Sequence, residues 1–333
     1  MEIKQYPIGH SDIKNFVQDH SCSIFDSPSW LSVLKDNFGN AEVSYYCLLD
    51  NGKILACLGI TVLDFKFIKI AQSNFPYGGF MGSKEYFPIF TELLLKELSN
   101  RSIHLLKIVK TSWNDFEGLK GFSPIKDYQH ILNLNGLSKD SVWQNYKKRV
   151  RRDVRRAEKL NIKILKIENR AEIEVFGRLY RETMMRNKAY PHMNKNSLYS
   201  IYDNLCMQGN AEIFFAKLNE DYIGSMLLLY FKKVCYYFLS ASATKFLSYS
   251  PNDLLVYTGI NFAIEKKADF FDFMTTPFHN KQLMNFKEKW GPDSSFIYTY
   301  EKLLNPARAK IWHLVYKFIN SAPGSLMLRA VRK

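Results

Sequence analysis

Residues 41–63 read AEVSYYCLLDNGKILACLGITVL, in which two apolar, β-rich runs flank Asp50, Asn51 and Gly52. An Asn-Gly pair between such runs is the strongest short-range signal for a β-hairpin, because its turn needs positive φ angles. Residues 211–231 read AEIFFAKLNEDYIGSMLLLYF and predict a second hairpin of similar length. The sequence therefore predicts one hairpin in each half of the chain.

The two hairpins align at a nearly constant offset. Placing Leu49 on Leu218 gives an offset of 169 (218 minus 49), which also places Leu58 on Leu227. At the next helix-to-strand junction, near residues 103 and 270, the offset is 167 (270 minus 103). A constant offset over a long stretch predicts an internal duplication and equal strand orders in the two halves.

The same order of elements is predicted around each hairpin. A third strand and a further helix follow each hairpin, at 65–71 and 86–98 in the first half and at 234–242 and 252–266 in the second, and in the second half two helices, at 171–186 and 197–207, precede the hairpin. This is the element order of the GNAT acyltransferase fold.

We therefore predict an α+β protein made of two tandem GNAT-like units with mixed β-sheets. Residues 1–140, completed by a C-terminal helix at 304–333, form the first unit, and residues 141–303 form the second. A basic helix, predicted as one continuous apolar stripe from Trp143 to Leu160, joins the two units.

The composition of the 333 residues, 47% of them hydrophobic and 15% aromatic, is that of a globular protein and excludes disorder and low complexity. No apolar run approaches the roughly 20 residues of a membrane span, and the N-terminus lacks the apolar core of a signal peptide. The five cysteines show no CxxC spacing, so reduced buried thiols are expected. These features predict a cytoplasmic protein.

The net charge of +14 is concentrated in two segments, 147–159 with +6 and 302–333 with +7. The first segment is interpreted either as a solvated helix or as a surface for the phosphates of RNA, a sugar nucleotide or an anionic lipid. The second has an apolar stripe through Ile311, Leu314 and Phe318. This stripe predicts a helix that docks on its own domain, or a peripheral contact with the inner membrane surface.

Several motifs of catalysis and cofactor binding are absent from the sequence. There is no P-loop, no GxGxxG after a strand, no HExxH and no GxSxG, and the seven histidines lack paired ligand spacing. Neither a metal nor a tightly bound cofactor is therefore expected. Coenzyme A is usually held in GNAT proteins by a glycine-rich loop at a helix N-terminus. The corresponding residues 240–252, SASATKFLSYSPN, contain no glycine.

Residues 286–291, FKEKWG, resemble the Phe-Lys-x-x-Phe-Gly signature of the Fem family of peptidyltransferases and the wider FemAB-like acyltransferases. Trp290 stands where the family more often has Phe. The similarity runs over roughly residues 10–310. Its other pieces are the Arg-rich helix at 146–161 and the segments 27–35 (SPSWLSVLK), 182–186 (ETMMR) and 249–252 (YSPN).

The resemblance implies that an aminoacyl group passes from a tRNA to an amine on a peptidoglycan precursor. It assigns to Lys287 the stabilisation of the reacting ester, with Phe286 beside it, and we place Lys287 in the loop before the final strand of the second unit. It also implies contacts to the phosphates and stem of a nucleotide-sugar or lipid-linked precursor. The residues in these positions are Lys35, Arg186, Tyr199 and Tyr249.

The implied chemistry agrees with general principles. Attack of an amine on an ester or thioester builds negative charge on the carbonyl oxygen, which a fixed ammonium can stabilise. No His–carboxylate pair is evident as a base, so positioning, with help from substrate or water, is expected to dominate. We predict N-acyl transfer to an amine of a peptidoglycan or surface-glycan intermediate. One alternative is an acyl-CoA- or acyl-carrier-dependent enzyme acting on an amino sugar in capsule or exopolysaccharide synthesis. Another is a non-enzymatic basic protein that binds RNA or a lipid surface.

Overall fold

The computed structural model describes residues 1–114, 116–189 and 191–319. The chain forms two compact units, Met1–Lys126 with the segment that begins at Phe296, and Asp127–Ser295. The chain changes unit after Lys126 and again after Ser295, earlier in the sequence than the boundaries expected after residues 140 and 303. Residues 320–333 of the expected C-terminal helix lie outside the described residues.

The first unit begins with a strand and two helices that precede the predicted hairpin. The elements up to residue 110 are β1 (Glu2–Pro7), α1 (Ser11–His20), α2 (Pro28–Asn37), β2 (Glu42–Asp50), β3 (Lys53–Asp64), β4 (Lys69–Ser73), β5 (Phe80–Gly82), α3 (Phe87–Asn100) and β6 (Leu105–Lys110). Asn51 and Gly52 have φ angles of 47° and 79°, as the hairpin turn requires. The strand predicted at 65–71 begins only at Lys69, because Lys66, with φ of 67°, places the preceding residues in a turn.

The second unit contains the next twelve elements. They are β7 (Ser123–Asn133), α4 (Lys139–Asn145), α5 (Lys148–Lys159), β8 (Lys163–Lys166), α6 (Ile173–Arg186), α7 (Lys195–Ile201), β9 (Ala211–Leu218), β10 (Asp221–Phe231), β11 (Val234–Ser242), α8 (Pro251–Glu265), β12 (Phe270–Thr276) and α9 (Lys281–Glu288). The predicted continuous basic helix is wrong in one respect. It is divided into α4 and α5, since Tyr146 and Lys147 have extended ψ angles of 143° and 146°.

The basic helix α5 is a part of the second unit and not a connection between units. Its Val150, Val154 and Ala157 are fully buried in the same hydrophobic cluster as residues of α8. Burying each valine contributes roughly 1.5–3 kcal/mol, so this face fixes α5 and turns its basic side chains outward. The chain passes from the first unit to the second within β7, upstream of α5.

The chain returns to the first unit within β13 (Asp293–Leu303) and ends the described part with α10 (Pro306–Ile319). The sheet of the first unit has the order β1-β2-β3-β4-β6-β13, and that of the second, read from its far edge, has the order β8-β9-β10-β11-β12-β7. In both, the fourth and fifth strands are parallel and the other neighbours are antiparallel. The equal orders confirm the repeated architecture that the sequence predicts.

The sixth strand of each sheet comes from an unexpected part of the chain. β7 follows β6 in sequence but pairs with β12, from Tyr128 opposite Thr276 to Asn133 opposite Phe270. β13 follows β12 but pairs with β6, from Tyr298 opposite Lys110 onward. Each unit is therefore completed by a strand that follows the fifth strand of the other repeat.

None of the helices in the described part of the chain combines the length and the apolar character needed to cross a membrane.

Candidate active site

Lys287 lies in the last turn of α9, which corrects its expected position in a loop. The helix begins after Asn280, whose Oδ1 accepts a hydrogen bond from the Leu283 N–H at 3.0 Å, and it is followed by Gly291 with φ of 80°. A capping residue and a glycine after the last turn are ordinary helix boundaries, so the short helix was readable from the sequence. Lys287 is only 3% exposed.

The Lys287 ammonium is held by a bulge in β12. Its Nζ donates hydrogen bonds to the carbonyl oxygens of Met274, at 3.0 Å, and of Thr275, at 2.8 Å. The pairing of β12 with β7 shifts between Asp272 and Thr275, and Met274 has a φ of 63°. A bulge of this kind locally changes the direction of the strand's polar groups. It gives the buried amine two successive backbone acceptors.

A buried polar cluster surrounds this bulge and consists of Gln129, His130, Asp272, Thr276 and Lys287. The Asp272 carboxylate accepts a hydrogen bond from Gln129 Nε2 at 2.7 Å and another from the Met274 N–H at 2.6 Å. His130 Nδ1 lies 3.2 Å from Thr276 Oγ1, and its buried Nε2 has no hydrogen-bond partner among the described residues. All five side chains are buried, and Asp272 stabilises the bulge directly.

Burial controls the ionisation of the cluster. It lowers the pKa of Lys287 to about 7, against the smaller opposing effect of the Asp272 charge. Burial, and then the charge of Lys287, lower the pKa of His130 to about 4. At neutral pH the imidazole is therefore uncharged, and Lys287 is close to the midpoint of its titration.

Either form of Lys287 has useful chemistry. The ammonium has three N–H donors, and the two carbonyls of the bulge accept two of them, which leaves one for a developing oxyanion. The neutral amine has two donors and a lone pair, so it could accept a proton from an attacking amine. The two forms predict opposite dependences of the rate on pH.

The rest of the 286–291 segment anchors the helix that carries Lys287. Phe286 is partly buried against the hydrophobic core of the second unit, and Lys289 Nζ lies 4.6 Å from the centroid of its ring. Lys289 also pairs with Asp253. Trp290 is 2% exposed, and its ring meets that of Tyr146 edge-on at 5.2 Å. Phe286 therefore packs against the core of the second unit, one position before Lys287.

Arg186 and Tyr249 both lie near the first turn of α8. Arg186 ends α6 and donates from Nη1 to the carbonyl of Ser242 at 2.8 Å and from Nη2 to its hydroxyl at 3.1 Å. The same hydroxyl accepts from Asn252 Nδ2 at 3.4 Å. Tyr249 precedes α8 and packs against the hydrophobic core. Because the Asp253 partner of Lys289 is also in this turn, the start of α8 connects these residues to the segment of Lys287.

Tyr199 and Lys35 are not part of this group. The Tyr199 hydroxyl donates to Glu174 Oε1 at 2.6 Å, and the Arg170 guanidinium lies 4.2 Å from the centre of its ring. Glu174 is in the first turn of α6 and Arg186 is its last residue, about 18 Å further along at 1.5 Å per residue. Lys35 is exposed on α2 in the first unit.

The N-terminus of α8 does not fit the pyrophosphate of coenzyme A bound in the usual way. A pyrophosphate there needs free backbone N–H groups and no competing carboxylate. Pro251 has no N–H, and the N–H groups of Asp253 and Leu254 donate to the carbonyl of Ser250. The Asp253 side chain adds a negative charge to the same turn. We therefore derive no step through coenzyme A.

Sequence reasoning missed the partners of Lys287. Gln129 and His130 are polar residues inside a strand, and Asp272 stands between Phe271 and Phe273 in the buried run FFDFMTT. A buried carboxylate in such a run is the signal that could have found the cluster, since buried polar groups need partners. Among the described residues, no three His, Cys, Asp or Glu side chains are grouped so that they could hold a metal ion.

The exposed face of α5 forms a separate basic surface. A depression of about 590 Å³ follows it. Its described lining consists of Lys148, Arg151, Arg152, Arg155, Arg156, Lys159 and Leu160. None of the residues around Lys287 contributes to this lining. The basic surface and the buried lysine are therefore different features of the second unit.

Comparison with known proteins identifies the class. Residues 144–287 match the family model of the acetyltransferase (GNAT) domain. The fold matches that of FemX with a TM-score of 0.66 and 17% identity, over 92% of this chain and 99% of that one. It also matches the tandem GNAT protein from the clavulanic acid biosynthesis pathway, with a TM-score of 0.57 and 9% identity over 92% and 99% of the two chains. Residues 144–287 are thus an acetyltransferase (GNAT) domain, and the fold of the whole chain is that of two GNAT-like units.

The particular type follows from the same comparisons. A further match is the C-terminal domain of a putative lysylphosphatidylglycerol synthetase from Agrobacterium fabrum, with a TM-score of 0.57 and 12% identity over 85% of this chain and 89% of that one. No curated protein sequence matches the chain significantly. The GNAT-domain match and the shared fold of FemX confirm the resemblance to the FemAB-like acyltransferases.

Proposed function

We propose that the protein transfers an aminoacyl group from a tRNA to an amine of a cell-envelope precursor, and that Lys287 is its catalytic residue. One observation carries the proposal. The lysine of the Fem-type signature is buried, and a strand bulge fixes its amine through two carbonyls. The poor fit of the α8 N-terminus to coenzyme A favours a donor other than acyl-CoA.

In the proposed reaction the precursor amine attacks the carbonyl carbon of the aminoacyl ester. The new C–N bond forms, the ester C–O bond breaks, and the amine loses a proton while the oxygen left on the tRNA gains one. After the attack and before the ester bond breaks, negative charge develops on the carbonyl oxygen, and the remaining N–H of the Lys287 ammonium stabilises this charge. The carbonyls of Met274 and Thr275 hold the ammonium in place, so little reorganisation accompanies the reaction.

The acceptor is proposed to be a peptidoglycan or surface-glycan intermediate, presented as a nucleotide sugar or a lipid-linked precursor. Arg186 and Tyr249, beside the first turn of α8, would contact its phosphates and stem, because a hydrogen bond between a guanidinium and a phosphate is strengthened by their opposite charges. The phosphate contact that the family resemblance implies for Lys35, on α2 of the first unit, stays a separate prediction. Tyr199, which is engaged with Glu174 and Arg170, is the weakest of the proposed substrate residues.

Transfer assays separate the proposal from its alternatives. The purified protein is incubated with charged tRNA or with acetyl-CoA, and with a nucleotide-linked amino sugar or a peptidoglycan precursor as acceptor. Product formed only from charged tRNA supports the proposal. Product formed only from acetyl-CoA would instead favour the acyl-CoA-dependent enzyme. Salt-sensitive RNA binding without product would favour the non-enzymatic alternative.

The proposed role of the ammonium predicts a fall in rate with increasing pH. Because the pKa of Lys287 is about 7, its charged fraction decreases about tenfold between pH 6 and pH 8. Single-turnover transfer rates at saturating substrate should decrease by a similar factor. A rate that instead rises across this range would assign Lys287 as the base in its neutral form.

Replacing Arg186 is expected to weaken acceptor binding. Arg186→Gln should raise the KM for a phosphate-bearing acceptor about tenfold, since a hydrogen bond to a charged group contributes roughly 1.5–3 kcal/mol, and should change kcat little. Arg181→Gln, an exposed position on the same helix, is the control. Equal KM values for the two variants would remove Arg186 from the acceptor site.

A further inference from the structure

α10 packs on the first unit, but the face that it turns to solvent, as far as the structure describes it, is apolar. Ala309 is fully buried in a cluster with Ile68, Ile70 and Leu105. On another face, Ile311, Leu314 and Phe318 are 52%, 70% and 52% exposed. Their spacing of three and four residues places them on one side of the helix. A docked helix normally hides such a stripe.

A neighbouring turn extends this apolar face. Phe65 and Phe67, in the turn between β3 and β4, are 40% and 42% exposed. The Phe65 ring stacks on Trp312 of α10 at 4.6 Å, and the Phe67 ring lies 6.3 Å from it. The turn and the helix thus form one surface, which we call the α10 face. Fourteen large hydrophobic side chains are exposed among the described residues, and five of them lie here: Phe65, Phe67, Ile311, Leu314 and Phe318.

The charges around the α10 face are positive. Lys310 and Lys317 are exposed and lie seven residues apart, along one border of the apolar stripe. Lys66 is exposed at the tip of the neighbouring turn, and Arg308 donates a hydrogen bond to the carbonyl of Phe67 at 3.1 Å.

The acidic groups near the α10 face are neutralised by partners. Asp64 pairs with Lys69 at 3.3 Å. Glu301 is buried and pairs with Lys107 at 2.6 Å and with His313 at 3.0 Å. The α10 face therefore has excess positive charge.

We propose that the α10 face binds the surface of an anionic phospholipid bilayer. Exposed aromatic and aliphatic side chains bordered by lysine and arginine are the pattern of a helix lying in the plane of a membrane interface. The apolar stripe enters the boundary between headgroups and acyl chains, and the lysines contact lipid phosphates. Charge complementarity selects an anionic bilayer over a neutral one. This inference does not depend on the proposed transfer reaction.

Co-sedimentation of the full-length protein with vesicles tests the proposal. Binding is expected to vesicles of phosphatidylcholine with 30% phosphatidylglycerol, to be weak with phosphatidylcholine alone, and to decrease as salt screens the charges. Leu314→Glu should reduce binding at least tenfold, and each of Lys310→Ser and Lys317→Ser roughly fivefold. Leu247→Glu, at an exposed leucine of the second unit, is the matched control and should bind like wild type.

Three results would overturn the proposal. The first is a lack of binding to anionic vesicles, and the second is binding that Leu314→Glu leaves unchanged, which would place the contact elsewhere, for example on α5. The third is a dimer in light scattering that Leu314→Glu dissociates, which would make a second copy of the chain the occupant of the α10 face. Transfer activity towards a soluble acceptor should be equal in Leu314→Glu and wild type. If the wild-type protein shows no transfer activity towards the soluble acceptor, that result counts against the proposed function and not against membrane binding.

Discussion

Lys287→Met is expected to lower the rate of aminoacyl transfer by about 10²–10³-fold, because under the proposed function it removes the N–H donor that stabilises the developing oxyanion. Single-turnover transfer from charged tRNA measures the effect directly. Lys281→Met, at the exposed start of the same helix, changes an equivalent side chain outside the buried cluster and should keep the wild-type rate. A rate for Lys287→Met within tenfold of wild type would contradict the catalytic assignment.

The fold of Lys287→Met should survive, which separates catalysis from stability. The pKa of Lys287 falls from 10.5 in the unfolded chain to about 7 on burial, so the protein loses stability as pH falls from 10.5 to 7. The full loss is on the order of 5 kcal/mol. Methionine has no charge to bury, so the variant does not lose stability in this way as the pH falls. It does leave the carbonyls of Met274 and Thr275 without a donor, and each unpaired carbonyl lowers the free energy of unfolding by roughly 1–3 kcal/mol. At pH 6 these effects offset one another, and the unfolding temperature should stay close to that of wild type.

Asp272→Ala is expected to destabilise the second unit by roughly 2–6 kcal/mol, the largest effect on stability that we predict. The substitution leaves the Gln129 amide and the Met274 N–H buried without their acceptor, and each such group costs about 1–3 kcal/mol. Urea unfolding monitored by tryptophan fluorescence measures the change. Asp269→Ala, three residues earlier, removes only a surface pair with Lys233 at 3.8 Å and should cost less than about 1 kcal/mol. Equal stabilities for the two variants would contradict the structural role of Asp272.

Asp272→Asn tests the effect of the Asp272 charge on the ionisation of Lys287. The amide keeps the size of the side chain but removes its charge, which otherwise raises the pKa of Lys287. The pKa of Lys287 should therefore fall further, and the descending limb of the pH–rate profile should move to lower pH. An unshifted profile in a folded variant would show that the two groups are not coupled.

The local features of the fold were predictable from the sequence because their signals are local. The Asn51-Gly52 turn, the strand lengths and the helices of the hairpin neighbourhoods follow from turn chemistry and periodicity. The break at Tyr146 was missed because an apolar stripe continues across it. The strand β1 was missed as well, since residues 2–7 have little apolar character, and they pair with β2 along their whole length.

The site was predictable only in part, for a physical reason. A short signature identified Lys287, but its surroundings depend on pairing between residues far apart in sequence. Gln129 and Asp272 are 143 positions apart and meet only because β7 pairs with β12. The register that brings them together also creates the bulge under the lysine. Tyr199 and Arg186 are likewise separated by the length of α6. Tyr199 contacts Glu174 in the first turn of this helix, whereas Arg186 is its last residue.

Because β7 pairs with β12 and β13 pairs with β6, the chain cannot be divided between the repeats without separating paired strands. A cut between the repeats, at the midpoint that the duplicated sequence suggests, would leave the N-terminal fragment carrying a strand whose hydrogen-bonding neighbour, β12, is on the other piece. The same cut would leave β6 with an open edge, since β13 would be lost with the C-terminal fragment. Neither repeat can therefore be excised as a contiguous segment that keeps all six strands of its sheet.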